Sequence, residues 1–286
     1  MIKKLNSIIA VCFFFFACSE EEMVSQNKET NDWEIEGWNI VWQDEFDKDS
    51  LDLTKWSGEI GGHGWGNNEL QSYTDSNENI YLNDGCLFII PTYNASSDGT
   101  GYESARINSQ NKRKFKYGRV DISFSVPEIT GVWPALWMMP EKSVYGNWPR
   151  SGEIDIVETI NEKSDELVTT IHYGHDYHRQ ISKTTFLNQL TKLSNPIDHN
   201  KISLIWEDKY FEWLLNDQLV FKVNFNEVEN LEPNPFLEEF YLLINVAVGG
   251  NWPGTPNSTM YCNSRKSCPD VKKLIVDYIA YYEKIN

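Results

Sequence analysis

Positive charge is scarce in this chain. Lys and Arg total 25 against 42 Asp and Glu, which leaves a formal net charge of −17. Phosphate backbones are held by clusters of Lys and Arg, so this balance argues against nucleic acid and other anionic polymers as partners. Long apolar runs are also missing. The longest, Ile8 to Phe16, is too short to favour a membrane-spanning helix. Histidine is sparse, and His63, His175, His178 and His199 make no zinc-ligand spacing. No long stretch carries a helical period, no internal repeat is present, and only Phe236 to Tyr241 offers as much as one helical turn.

What remains is a leader, a polar stretch and a strand-rich body. Residues 1–17 read as a signal peptide, with Lys3 and Lys4 before the apolar run. Phe15-Phe16-Ala17-Cys18 resembles a bacterial lipobox, which implies cleavage before Cys18 and lipidation of its thiol. Losing Lys3 and Lys4 with no acid takes the charge from −17 to −19. Ser19-Glu20-Glu21-Glu22 resembles the acidic export tag of surface-exposed outer-membrane lipoproteins. Residues 18–36 have little to bury and read as a flexible acidic tether. Residues 37–286 are long enough for one large β domain.

Strand-like apolar patterning marks Ile40 to Phe46, Lys116 to Val126, Ile202 to Trp206, Tyr210 to Leu215, Leu219 to Val223 and Leu274 to Tyr282, and Phe240 to Val248 is a near-continuous apolar run. Asn79 to Ile90 reads as a hairpin turning at Asn83-Asp84-Gly85, and Asn216-Asp217 as another turn. Many short strands with Gly, Asn and Pro turns predict an all-β, two-sheet sandwich. Cys262 and Cys268 flank a short polar segment and are candidates for a disulfide. Cys86, within an apolar strand, reads as buried.

The chemistry concentrates in Glu153-Ile154-Asp155-Ile156-Val157-Glu158. On a strand, Glu153 and Asp155 share one face and Ile154 and Ile156 the other. Strict alternation would drive Glu158 in among the isoleucines, a costly burial for a lone carboxylate. A β-bulge near Ile156-Val157 returns Glu158 to the acidic face. The two glutamate Cα atoms are then roughly 13 Å apart at ~3.3 Å per residue. Side chains leaning over Asp155 could bring the carboxylates toward the ~5 Å separation of a retaining glycosidase. By spacing alone, alternating acids fit a solvated face equally well, but clustered carboxylates raise one another's pKa, a cost that function often explains. Trp133, Trp137 and Trp148 lie close in sequence and suit the C–H faces of sugar rings.

These residues resemble the signature of glycoside hydrolase family 16 in its bulged form, that of laminarinases (endo-β-1,3-glucanases), agarases and carrageenases. Further segments resemble the family in order: Gly66 to Thr74, Ser104 to Ile107, Phe115 to Val120, Gly131 to Met138, His172-Tyr173, Asn245 to Gly254 and Val276 to Tyr278. The resemblance implies a β-jelly roll with a concave substrate cleft. It implies a retaining endo-hydrolase of β-1,3-glucan or mixed-linkage β-glucan, with an agarase-type galactanase or a transglycosylase as the alternatives. A non-catalytic carbohydrate-binding lipoprotein would normally lose a catalytic glutamate, and both are present. The acidic surface fits a neutral polysaccharide better than a sulfated one. The family order makes Glu153 the nucleophile and Glu158 the acid/base, with Asp155 between them. Trp133 and Trp137 become sugar platforms or core, Trp252 faces the cleft, and His172 contacts substrate or is a satisfied core histidine. Arg106, Asn68 and Trp148 meet sugar hydroxyls or the acids, and Glu69 is structural or functional. No cofactor is implied for catalysis. A structural Ca²⁺ is, on Glu45, the Gly85 carbonyl and Asp277. The molecule is expected to be monomeric.

Overall fold

The computed structural model describes residues 33–97, 99–187 and 199–285. The leader, Cys18 and the first part of the tether lie outside the described residues. In chain order the strands are β1 Trp38–Asp44, β2 Ser57–Gly58, β3 Ser72–Tyr73, β4 Ile80–Asn83, β5 Cys86–Ile89, β6 Thr92–Tyr93, β7 Tyr102–Ser104, β8 Arg106–Asn108 and β9 Gly118–Ser125. They continue as β10 Val132–Pro140, β11 Glu153–Glu158, β12 Glu166–Tyr173, β13 Arg179–Phe186, β14 Asn200–Trp206, β15 Tyr210–Leu215, β16 Gln218–Asn224, β17 Phe240–Val248 and β18 Leu274–Lys284. Helix among the described residues is confined to short 3₁₀ turns, one of them at Pro235–Leu237.

The strands build two large antiparallel sheets. One runs β16-β15-β14-β9-β18-β5-β4, with β1 also paired to β18; the other runs β13-β12-β11-β10-β17-β8-β2. A small third sheet, β3-β7-β6, completes the fold. The inner faces meet in one apolar cluster. Val120, Ile122 and Phe124 of β9 and Ile202, Leu204 and Trp206 of β14 belong to it, as do Val132, Leu136 and Met138 of β10 and Ile244, Val246 and Val248 of β17. The intervening residues of β10 and β17 point the other way, and Trp133, Ala135, Trp137, Met139, Asn245 and Ala247 line a cleft on the outer face. Period-two alternation thus makes a core and a cleft from the same strands.

The predicted hairpin is present. Asn83 pairs with Cys86 across Asp84 and Gly85, whose φ values of 48° and 70° are those of a type I′ turn. Asn216 and Asp217 make the same kind of turn between β15 and β16, with φ of 48° and 64°. Cys262 and Cys268 form a disulfide with a Cα–Cα distance of 5.4 Å. Cys86 departs from expectation: it is half-buried, because it opens β5 beside the exposed turn rather than lying in its apolar middle.

Candidate active site

The bulge lies where the carboxylates require it. Against β10, Trp137 pairs with Asp155 and Leu136 with Val157, so Ile156 is the extra residue. Against β12, Asp155 pairs with Thr170 and Glu158 with Val168. Ile154, Ile156 and Val157 are all buried in the core, while Glu153, Asp155 and Glu158 line the cleft. Without the extra residue Glu158 would enter the apolar core. The cleft holds about 790 Å³.

Each glutamate has its own indole donor. Trp148 donates its indole N–H to Glu153 Oε2 at 2.6 Å, and Trp133 donates to Glu158 Oε1 at 2.7 Å. His172 Nε2 lies 3.1 Å from Asp155 Oδ2, and donor atoms of Glu153, Asp155 and His172 fall within 4.8 Å of one another. Burial pushes Glu158 well above the usual carboxylate range, with the Asp155 charge adding to it and the Trp133 hydrogen bond opposing. Asp155 is also held well above its usual range, by burial and then by Glu153. Glu153 is raised by burial, but His172, Trp148, Asp155 and Arg106 all oppose the rise. Glu153 therefore has four partners that favour its ionised form, whereas Glu158 has the Trp133 indole alone against burial and two neighbouring acids.

Arg106 reaches the site from β8. Its guanidinium carbon sits 4.8 Å from both the Trp65 and Trp137 ring centroids, and Nε is 2.9 Å from Glu59 Oε2. The Trp137 indole N–H is engaged by Asn245 Oδ1 at 2.7 Å. At the other end Trp252 packs edge-on against Trp133, with centroids 5.3 Å apart, and is 40% exposed. Trp148 is 48% exposed, so its free face remains open to a ring while its N–H holds Glu153.

Of the residues singled out from sequence, Trp133, Trp137, Trp148, His172, Arg106 and Trp252 line this cleft with the three acids, and Asn68 does not. Asn68 instead donates its side-chain amide to Asn251 Oδ1 at 2.9 Å. It joins the 64–70 loop to the Gly249-Gly250-Asn251 turn, where Asn251 N–H also donates to the Asn67 carbonyl at 2.9 Å. Gly250 is needed there: at φ 107°, a Cβ would lie 2.9 Å from that same carbonyl oxygen. Asn67 lines the cleft in place of its neighbour. Glu69 lines it too, its pKa raised by burial and its carboxylate held by Gln71 at 2.7 Å and by Asn67.

Trp65 and His178 are site residues that carried no weight in the sequence. His178 Nε2 is 2.8 Å from His172 Nδ1, and its ring lies 4.7 Å from that of Trp148. Its signal was Gly174 between two histidines after a strand. At φ 124°, a Cβ on Gly174 would sit 2.1 Å from the Tyr177 carbonyl oxygen, so only glycine permits the turn that folds His178 back over His172.

The residues expected to hold calcium lie elsewhere, on β18 or beside strands that pair with it. β5 pairs with β18 up to Val276, and β1 pairs with it from Ile279 on. Asp277 falls between those two stretches of β18, Glu45 directly follows β1 and Gly85 directly precedes β5. Ser123 Oγ donates to Asp277 Oδ2 at 3.3 Å, and Gln43 donates to Glu45 Oε1 at 2.7 Å. Two carboxylates and a backbone carbonyl are hard donors that suit Ca²⁺.

Residues 65–204 match the family model described as "XgeA-like, catalytic GH16 domain". The chain is 36% identical to glucan endo-1,3-beta-glucosidase A1 of Niallia circulans, over 93% of this chain and 41% of that protein. It is 34% identical to a beta-glucanase of Rhodothermus marinus, over 86% of this chain and 85% of the other. Among solved structures, the laminarinase catalytic domain of Thermotoga maritima MSB8 superposes with a TM-score of 0.74. That likeness comes at 33% identity and covers 88% of this chain and 100% of the other.

Proposed function

This chain belongs to glycoside hydrolase family 16, and from that premise we propose that it is a retaining endo-hydrolase whose leading substrate is β-1,3-glucan. The observation that carries the reading is the pair Glu153 and Glu158 on one bulged strand, facing one open cleft, with burial raising the pKa of both and with Glu158 held well above the usual carboxylate range while several partners oppose the rise at Glu153. Glu153 attacks the anomeric carbon as the glycosidic C–O bond breaks, and Glu158 passes its proton to the leaving oxygen. Glu158, now a carboxylate, takes a proton from water. That water attacks the same carbon and frees Glu153. Asp155 holds Glu153, and Trp133 and Trp252 offer an aromatic corner to a sugar beside the acid. Arg106, clamped between Trp65 and Trp137, supplies fixed donors for hydroxyls.

A panel of laminarin, curdlan, lichenan, agarose, carrageenan and xyloglucan, with products sized, tests this. The expected result is rapid shortening of laminarin to oligosaccharides and slower attack on lichenan. A relative, keratan-sulfate endo-1,4-beta-galactosidase of Sphingobacterium multivorum at 28% identity, makes the galactan arm necessary. Activity confined to a galactan would overturn the substrate and leave the mechanism standing. An added oligosaccharide acceptor distinguishes hydrolysis from glycosyl transfer.

The proposed location is the outer membrane, with the monomeric body tethered through a lipid on Cys18. Cys18→Ala is expected to move the enzyme from the membrane fraction to the soluble one. Unchanged membrane association would mean that something else anchors it.

Calcium bound by Glu45, the Gly85 carbonyl and Asp277 would tie β1 and β5 to β18, away from the cleft. At one hundred times its dissociation constant it would add about 2.7 kcal/mol to stability. At ~2–4 °C per kcal/mol, that is a rise in Tm of roughly 5–10 °C over chelated protein. Asp277→Asn should abolish most of the rise. Equal melting with calcium and with chelator would eliminate the site.

A further inference from the structure

We infer that His178 is a positioning residue for the nucleophile: its Nε2–H donates to His172 Nδ1, and this locks His172 in the tautomer that keeps Asp155 turned toward Glu153. The inference rests on reading Glu153 as the nucleophile.

The hydrogen-bond directions follow from counting protons. An ionised Glu153 can only accept, so the proton between it and Asp155 must sit on Asp155. With that proton spent on Glu153, the Asp155 oxygen facing His172 is an acceptor. His172 Nε2 lies 3.1 Å from Asp155 Oδ2, bent off the line of a hydrogen bond, and it carries the hydrogen because a bare Nε2 there would set lone pair against lone pair. Burial lowers the pKa of His172, so the ring is neutral and carries a single N–H. Its Nδ1 is therefore an acceptor, and the atom 2.8 Å away, His178 Nε2, must carry the hydrogen. All the hydrogens point one way, from His178 through His172 and Asp155 to Glu153.

Reversing the line leaves a fault at its end. If His172 donated from Nδ1 to His178, Nε2 would become a bare acceptor. It would then draw Asp155's proton away from Glu153, and two carboxylate oxygens would face each other with no hydrogen between them. In a buried site that is costly. The local structure also keeps His178 in place. Gly174 allows the tight turn, and the imidazole packs at 5.0 Å from the His172 ring and 4.7 Å from the Trp148 ring.

The test compares His178→Phe with His178→Gln. Phenylalanine keeps a ring against Trp148 but has no donor; glutamine keeps an N–H donor. Two readouts are used: the ¹⁵N shifts of His172, and turnover of a dinitrophenyl β-glycoside of a β-1,3-linked disaccharide. In the parent enzyme His172 should show a protonated Nε2 and a bare Nδ1. His178→Phe should mix the tautomers and lower kcat by roughly 10-fold to 100-fold, the effect of losing a functional histidine's orienting partner elsewhere, with KM little changed. His178→Gln should recover most of both. The inference is overturned if His172 carries its proton on Nδ1 in the parent, or if the two variants behave alike. A change in KM alone would also overturn it, because His178 would then be a sugar contact. Failure of the underlying reading looks different: Glu153→Ser would stay active, whatever His178 does.

Discussion

Glu153→Ser is expected to remove at least about 10⁴-fold of kcat/KM on every substrate, activated or not, a loss of ~5.5 kcal/mol in transition-state stabilisation. Serine's hydroxyl has no base beside it comparable to a carboxylate, so no glycosyl-enzyme forms. The fold should survive. Trp148 loses its acceptor, but at 48% exposed its indole can reach water. Stability gives an independent check on the environment of Glu153. Burial raises its pKa in the folded state, so the folded protein holds this proton more tightly than the unfolded chain does. Its contribution to stability is present below the ordinary glutamate pKa and is lost as pH rises through the folded value. The serine variant has no such loss. Its Tm relative to the parent should therefore improve from acid toward neutral pH. Added azide can occupy the vacated space and attack the anomeric carbon of a dinitrophenyl glycoside directly, giving the α-glycosyl azide.

How much of this could be read from the chain depended on the kind of constraint. The bulge was legible because the alternative was expensive: a strictly alternating strand would have buried Glu158 beside Ile154 and Ile156. The hairpin at Asp84-Gly85 and the strand Phe240–Val248 were legible for similar local reasons, turn residues in one case and an apolar run broken only by Asn245 in the other. β13 was not. Its sequence is largely polar because it is an edge strand with one neighbour, and most of its residues are exposed or half-buried. It nonetheless brings Gln180 and Ser182 to the cleft.

The site divides in the same way. The acids and the tryptophans of β10 share two adjacent strands, so their common face follows from register. Arg106 was a candidate, yet its clamp depends on Trp65 and Glu59, which come from separate loops and carry no periodic signal. Asn68 shows the limit of reading by motif. Its neighbour Asn67 lines the cleft, while Asn68, at φ 58°, directs its amide to Asn251. A backbone conformation, invisible in the residue letters, decides which of two adjacent asparagines faces substrate.

Glu158→Ala should fail differently from the nucleophile variant. On polysaccharide the loss is expected to be ~10²–10⁴-fold, since the departing sugar oxygen needs a proton. A dinitrophenolate needs none, so glycosylation of Glu153 should continue and a glycosyl-enzyme should accumulate, visible as added mass on the intact protein. The pH profile carries the same message. In the parent, Glu158 must be protonated for the first step. Burial, then the charges on Asp155 and Glu153, hold its pKa well above the usual range. Activity therefore falls as pH rises through that pKa. In Glu158→Ala the alkaline fall should disappear for the activated substrate, because no group there has a proton to lose. Deglycosylation, deprived of its base, becomes rate-limiting. Azide requires no base, and should restore turnover by attacking the glycosyl-enzyme from the face opposite Glu153, giving the β-glycosyl azide. If Glu158→Ala gave the α-azide and Glu153→Ser the β-azide, the roles assigned to the two glutamates would be exchanged. The bulge that returns Glu158 to the cleft would then have placed the nucleophile, and the Trp148 hydrogen bond would belong to the acid.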